Sequence, residues 1–149
     1  MIRTFKSLIC LATIACTPLV AIADWIQWPG NGHYYQPVAV TQSITWDDAS
    51  TAAQAAGGYL ATITSAGENS FVFSLIDSDP YWYFGSYTSG PWIGGWQPTS
   101  GPEPDGGWEW VTGEAFTFTN WVMGEPNDDW NPGGEDYLQY AGGWSGHVE

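Results

Sequence analysis

After residue 23 this 149-residue chain contains no lysine, no arginine and no cysteine. Arg3 and Lys6 are its two basic residues, and Cys10 and Cys16 its two cysteines. All 16 acidic residues and all 11 tryptophans lie beyond that point, and the formal net charge is −14. Each absence excludes something. Without a basic surface there is nothing to neutralise phosphates, so nucleic acid is not a partner. An anionic membrane surface would repel such a chain. No disulfide and no Lys/Arg salt bridge can form in residues 24–149. Every carboxylate there must face water, accept hydrogen bonds, stay protonated or bind a cation.

Residues 1–23 have the three parts of a secretory signal. Arg3 and Lys6 make a positive start, Leu8 to Val20 an apolar run, and Ala21-Ile22-Ala23 a small-x-small cleavage site before Asp24. A membrane anchor is the competing reading, but the apolar run is shorter than the roughly 20 residues a span needs. Acylation at Cys16 is a further alternative, with Thr13 standing where an aliphatic residue is expected. No second run of spanning length follows. The expected organisation is a signal peptide at 1–23 and one domain at 24–149, outside the cytoplasm, in the medium or the periplasm. Secretion permits disulfides; lacking them, the domain must be held by its core. Aromatic residues, 17% of the chain, supply large buried area per side chain.

The early part of the domain has periodic structure. His33 to Val40 reads as a strand interrupted or put on an edge by Pro37. Thr45 with Asp48 forms a capping pair ahead of Trp46, Ala49, Ala53 and Ala56 at helical spacing, and Gly57-Gly58 ends that helix. Tyr59 to Thr64 reads as a short strand. Ser65 and Glu68 cap a second helix with a stripe of Phe71, Val72, Leu75 and Ile76. From Asp79 onward glycine, proline and tryptophan replace helical periodicity. Trp92 to Gly95, Trp108 to Val111, Phe116 with Phe118, and Tyr137 to Tyr140 read as strands, separated by long loops at 96–107 and 122–134. The expected class is α+β in one domain. Long loops in a compact domain tend to carry function.

The second loop is where the charge gathers. Glu125, Asp128, Asp129, Glu135 and Asp136 fall within twelve residues, with Asn127 and Asn131 among them. Two readings fit. One is a solvated acidic loop. The other is a cation site: several carboxylates with an amide oxygen suit calcium, which takes six to eight oxygens in tolerant geometry. Magnesium demands stricter geometry. Zinc is poorly served, because no cysteine remains and His33 and His147 are far apart in sequence. Glu125-Pro126-Asn127 sets two oxygen-bearing side chains either side of a proline, where a cis bond would turn both toward one ion.

Taken in order, these segments resemble a C-type lectin-like domain. The resemblance spans about residues 33–144. It rests on Gly57-Gly58-Tyr59-Leu60-Ala61-Thr62-Ile63, Ser65-Ala66-Gly67-Glu68-Asn69, Trp92-Ile93-Gly94-Gly95, Trp108-Glu109-Trp110-Val111-Thr112-Gly113-Glu114, Asn120-Trp121, Gly124-Glu125-Pro126-Asn127 and Gly134-Glu135-Asp136. Each motif is weak alone; their order and spacing are specific. The resemblance implies an α+β fold of two helices, short antiparallel sheets and a long irregular loop region, in a bacterial-like, disulfide-free version. It implies Ca2+ as cofactor, with Glu125, Asn127 and Glu135 as principal ligands. An auxiliary site would draw on Asp128, Asp136 and a further acid, Asp105 or Glu103. It implies carbohydrate as partner, of the mannose, glucose, N-acetylglucosamine and fucose type that goes with Glu-Pro-Asn. Vicinal sugar hydroxyls would meet the ion and the side chains of Glu125, Asn127 and Glu135. Trp130 is the candidate for stacking on a sugar ring, with Trp96 a lesser one.

The chain departs from that pattern at several positions. The family's usual cysteines are replaced by Ala53 and Tyr137. Trp144 matches the tryptophan that normally precedes Asn-Asp, yet Ser145 and Gly146 follow it, so two ligands are missing. The family's final strand, which pairs back with the first, is missing too. A truncated or frame-shifted product and a degenerate member with weak or no calcium binding both account for this. In the second case the fold would serve adhesion without sugar. Catalysis is not expected: no Ser-His-Asp spacing stands out, and His33 and His147 read as ordinary residues.

Overall fold

A computed structural model describes residues 24–84, 88–98, 101–129, 134–143 and 146–147. The signal-peptide reading, Trp130, Asn131, Trp144 and Ser145 lie outside the described residues.

The chain opens with a two-stranded antiparallel ribbon, β1 (Ile26–Gln27) and β2 (Tyr34–Tyr35), joined by a turn at 29–32. Two helices follow. Helix α1 (Trp46–Ala55) starts where expected, with the Thr45 side chain accepting from the Asp48 N–H, and it ends against Gly57 at φ 85°. Helix α2 (Ala66–Ile76) starts at Ser65, whose hydroxyl accepts from the Glu68 N–H. A short 3-10 turn, Asp79–Tyr81, leads into the main sheet.

That sheet runs β3 (Tyr83–Phe84), β4 (Thr88–Trp96), β6 (Tyr137–Gly143), β7 (Gly146–His147), all antiparallel, with β5 (Glu109–Trp110) pairing the end of β4. Strand β4 is its spine. Pro91 cannot donate to a ladder, and the β4–β6 register shifts between Ser89 and Trp92, across that proline. Gly94 and Gly95 are required by close approach. A Cβ on Gly94 would stand 2.6 Å from the Leu60 carbonyl oxygen, and one on Gly95 would stand 2.2 Å from Leu138 Cδ1.

Four sequence expectations change. Tyr59 to Thr64 is extended beside β4, with Gly94 N–H donating to Ala61 O at 2.8 Å, but it forms no ladder. Phe116 and Phe118 are not in a strand; their rings pack inward instead, Phe116 lying 5.0 Å from Trp110 and 6.2 Å from Trp108. The early strand shrinks to Tyr34–Tyr35 with an isolated bridge at Val38, because Pro37 interrupts it. The last strand runs on to Gly143, and β7 pairs antiparallel with β6 and not with β1.

The core is Tyr35, Ile63, Val72, Ile76, Trp82, Trp110 and Tyr140, with Phe71, Phe73, Leu75, Ile93, Phe116 and Leu138 packed around it. Several aromatic polar tips find acceptors, although the buried Trp110 Nε1 has none among the described residues. Trp82 Nε1 donates to Ile76 O, Tyr140 OH to Asn69 Oδ1, and Trp46 Nε1 to Ile93 O at 2.8 Å. The Trp46 ring also stacks on Tyr137 at 4.8 Å, so α1 is pinned to both β4 and β6.

One polar group is buried deeper than any of the rings. Glu68 is 1% exposed. Its Oε1 accepts from Asn31 Nδ2 at 2.6 Å and from the Tyr35 hydroxyl; its Oε2 accepts from the Thr64 N–H at 2.7 Å and the Thr64 hydroxyl at 2.8 Å. This carboxylate ties the ribbon to the start of α2. Four donors are what make a buried carboxylate tolerable where no basic side chain exists.

Candidate functional site

Three segments meet beyond the end of β4: the turn at 101–107, the loop from Gly124 to Asp129, and the approach to β6 at 134–136. The first folds tightly on itself. Gly101 N–H donates to Pro98 O, Gly106 N–H to Pro102 O, and Trp108 Nε1 to Pro104 O. Trp108 is buried and lies 5.3 Å from Trp121, so the turn and the second loop both grow from one aromatic base.

In the second loop the Glu125–Pro126 bond is cis, as is Glu103–Pro104. The flanking side chains meet: Asn127 Nδ2 donates to Glu125 Oε1 at 2.8 Å. Asn127 Oδ1 in turn accepts from the Asp129 N–H at 2.7 Å. Asp128 is the one non-glycine among the described residues with positive φ, 54°, a conformation aspartate tolerates better than most. It brings Asp128 Oδ1 to within 3.1 Å of the Glu135 N–H, which donates to it. Gly134, at φ 77°, lies against both neighbouring acids: a Cβ there would be 3.0 Å from Asp128 Oδ1 and 3.3 Å from Asp136 Oδ1. The second loop and the last segment are thus drawn together around Asp128.

The electrostatics follow from crowding. The Glu135 carboxyl is pushed above its usual range, first by desolvation, then by the charge of Glu125, with Asp128 and Asp129 adding to it. Glu103 is pushed up as well, by desolvation and then by Asp128 and Asp136, and a hydrogen bond from Gln97 partly offsets this. Two groups are therefore coupled. Glu125, Asp128 and Asp129 act on Glu135; Asp128 and Asp136 act on Glu103. Asp128 belongs to both. Glu103, one of the two acids that sequence offered for the auxiliary position, feels Asp128 and Asp136. Asp105 is exposed on the same turn. Gln97 was not singled out from sequence, where it falls in the 96–107 loop with no signal of its own.

The donors present are carboxylate and amide oxygens with no basic side chain among them. That chemistry fits a hard, oxygen-seeking cation such as calcium and does not fit zinc. Among the described residues, no three His, Cys, Asp or Glu side chains are drawn closely enough together to hold a metal. Like charges held on separate segments repel, which favours such spacing. Also among the described residues, no helix is long and apolar enough to cross a membrane.

A fold of two helices with small antiparallel sheets, and irregular acidic loops gathered at the end of the central strand, defines the class. The chain belongs to the C-type lectin domain family, whose profile, the Lectin C-type domain, matches residues 42–145. This is a family of binding domains and not of enzymes. Among the relatives, a perlucin-like protein of Mytilus galloprovincialis is 29% identical over 130 residues, covering 86% of this chain and 75% of the relative. Lectin BRA-3 of Megabalanus rosa is 33% identical over 107 residues, covering 70% of this chain and 55% of the relative. Regenerating islet-derived protein 3-gamma of Rattus norvegicus is 41% identical over 81 residues, covering 53% of this chain and 44% of the relative. The match thus spans less than two thirds of the last two. No solved structure matches the chain significantly.

Proposed function

We propose that this chain is an exported, calcium-dependent carbohydrate-binding domain of the mannose and glucose type. The observation that carries the reading is the pairing of Glu125 with Asn127 across Pro126, beside an Asp128 that links to Glu135. Glu125, Asn127 and Glu135 would hold the principal ion, and Asp128, Asp136 and Glu103 or Asp105 the auxiliary one. When bound, calcium supplies a hard electrophilic centre with room for two vicinal hydroxyls. The chain's own part is recognition. Glu125 and Glu135 accept hydrogen bonds from sugar hydroxyls, and the Asn127 amide donates one. That arrangement of two acceptors and one donor is what selects the orientation of the hydroxyl pair. Trp130, in the same loop by sequence, would cover the apolar face of the ring.

The test is retention on a mannose resin in millimolar calcium, with release by chelator. Glu125→Gln with Asn127→Asp exchanges the acceptor and donor positions and should move preference toward galactose. Ser145→Asn with Gly146→Asp adds one amide oxygen and one carboxylate after Trp144 and should strengthen calcium-dependent retention. A folded protein with neither calcium-induced stabilisation nor sugar retention, before or after that repair, would establish the adhesion reading instead.

A further inference from the structure

Gln97 is 3% exposed, yet no motif explains why a long amide should be buried at the end of a strand. Its contacts do. Its backbone N–H donates to Asp136 O at 2.8 Å, holding the approach to β6. Its side-chain Nε2 donates to Gly106 O at 2.6 Å, holding the 101–107 turn. One residue therefore touches both segments that face each other across the acidic group.

The turn it holds is closed tightly on itself. Gly101 and Gly107 pack so closely that a Cβ on Gly107 would lie 2.9 Å from the Gly101 Cα, and Gly106 is closed onto Pro102. A bond to Gly106 O therefore fixes the whole turn, Glu103 included. Strand β4 in turn is the best-anchored strand of the sheet, paired with β3, β5 and β6. A buried donor rooted there is a rigid reference against which an exposed turn can be set. Such outer-shell partners orient ligands, and losing one typically costs 10–100-fold in metal affinity.

We propose that Gln97 is a positioning residue of this site: from the end of β4 it locks the 101–107 turn to the segment at Asp136 and so sets Glu103 against Asp128 and Asp136. The proposal rests on the calcium reading given above. It goes beyond that reading in assigning the spacing of the acids to a neutral, buried side chain that holds no ion itself.

Gln97→Met keeps the volume and the backbone bond but removes the amide, so it separates bonding from packing. Two readouts are needed. In chelator, amide hydrogen exchange should quicken across 101–107 while the circular dichroism spectrum stays unchanged. By calorimetry, the calcium Kd should rise about tenfold. A merely structural role would produce the same loss in any background. A role through Glu103 would not: with Glu103→Gln already present, Gln97→Met should add little further loss. Exchange at 101–107 unaltered in chelator would overturn the proposal, and so would a tenfold loss that persists in full beside Glu103→Gln. If Gln97→Met fails to fold, Gln97→Asn, which shortens the reach to Gly106 O, carries the same expectations. If the unaltered protein binds no calcium by calorimetry, the proposed function falls and this assignment with it. If it binds calcium and Gln97→Met changes nothing, the assignment falls alone.

Discussion

Carboxylates in the two halves of this domain meet opposite surroundings. In the first half Glu68 is almost wholly buried and accepts from Asn31, Tyr35 and both donors of Thr64. In the second half Glu103 and Glu135 face other carboxylates, and both are pushed above their ordinary range by desolvation and by those neighbours. Donors satisfy the first; the second group waits on protons, salt or a cation. The first carboxylate therefore supports the fold, and the second group is free to serve binding. With no lysine or arginine beyond residue 6, hydrogen-bond donors and cations are the only partners this chain can offer its acids.

The sharpest way to break that contrast is Glu68→Ala. It strands up to four donors in a buried place, at about 1–3 kcal/mol for each group left unsatisfied. The expected result is a loss of about 3 kcal/mol or more by urea unfolding. Asn127→Ala, with its side chain exposed in the second loop, should change stability by no more than about 0.5 kcal/mol. The same change should abolish calcium-dependent retention on mannose resin. A large stability loss from Asn127→Ala would erase the distinction between the halves.

High pH should attack the first half. Burial holds the Tyr35 hydroxyl well above the usual tyrosine range, and its bond to Glu68 adds to this. A group whose folded pKa is raised binds more protons folded than unfolded. Its contribution is present below the unfolded value of about 10 and is lost as pH rises through the folded value. Stability should therefore decline above about pH 10, and Tyr35→Phe should flatten that decline in pH-resolved thermal melts.

Salt should act on the second half. Screening can only relieve repulsion here, since residues 24–149 hold no basic side chain apart from histidine. Raising sodium chloride in the presence of chelator should lift the melting midpoint by a few degrees, with Glu103→Gln reducing that gain. The smallest expected effect returns to the helices. Thr45→Ala removes the cap on the Asp48 N–H and should cost about 1 kcal/mol in thermal denaturation, leaving sugar retention intact.

Local chemistry made much of the first half legible. The Thr45 and Ser65 caps, the glycines after α1 and the apolar stripe of α2 act within four residues, so both helix starts and the end of α1 could be read directly. The Trp108–Val111 strand announced itself by aromatic alternation, and a short strand at Trp92–Gly95 is also legible. Phe116 and Phe118 alternate too, but the Phe116 ring is taken up by Trp108 and Trp110 and Phe118 packs against the core, so packing overrode the pattern. Tyr59 to Thr64 failed differently: it lies extended beside Gly94 without a partner in register along its length.

What the sequence by itself determined about this protein is its charge, its disulfide-free core, its two helices and the gathering of oxygen donors between Glu125 and Asp136. Those depend on residue identity and short spacing. Which acids act on one another was decided only by the tertiary structure. Glu103 and Asp105 are near neighbours in the chain, and only the folding of the 101–107 turn brings the first under the charge of Asp128 and Asp136. Gln97 reads from sequence as part of the 96–107 loop, and only burial and two contacts give it a place between two segments. Contacts between segments tens of residues apart leave no periodic trace, because each side chain answers to a surface that the rest of the chain must first build.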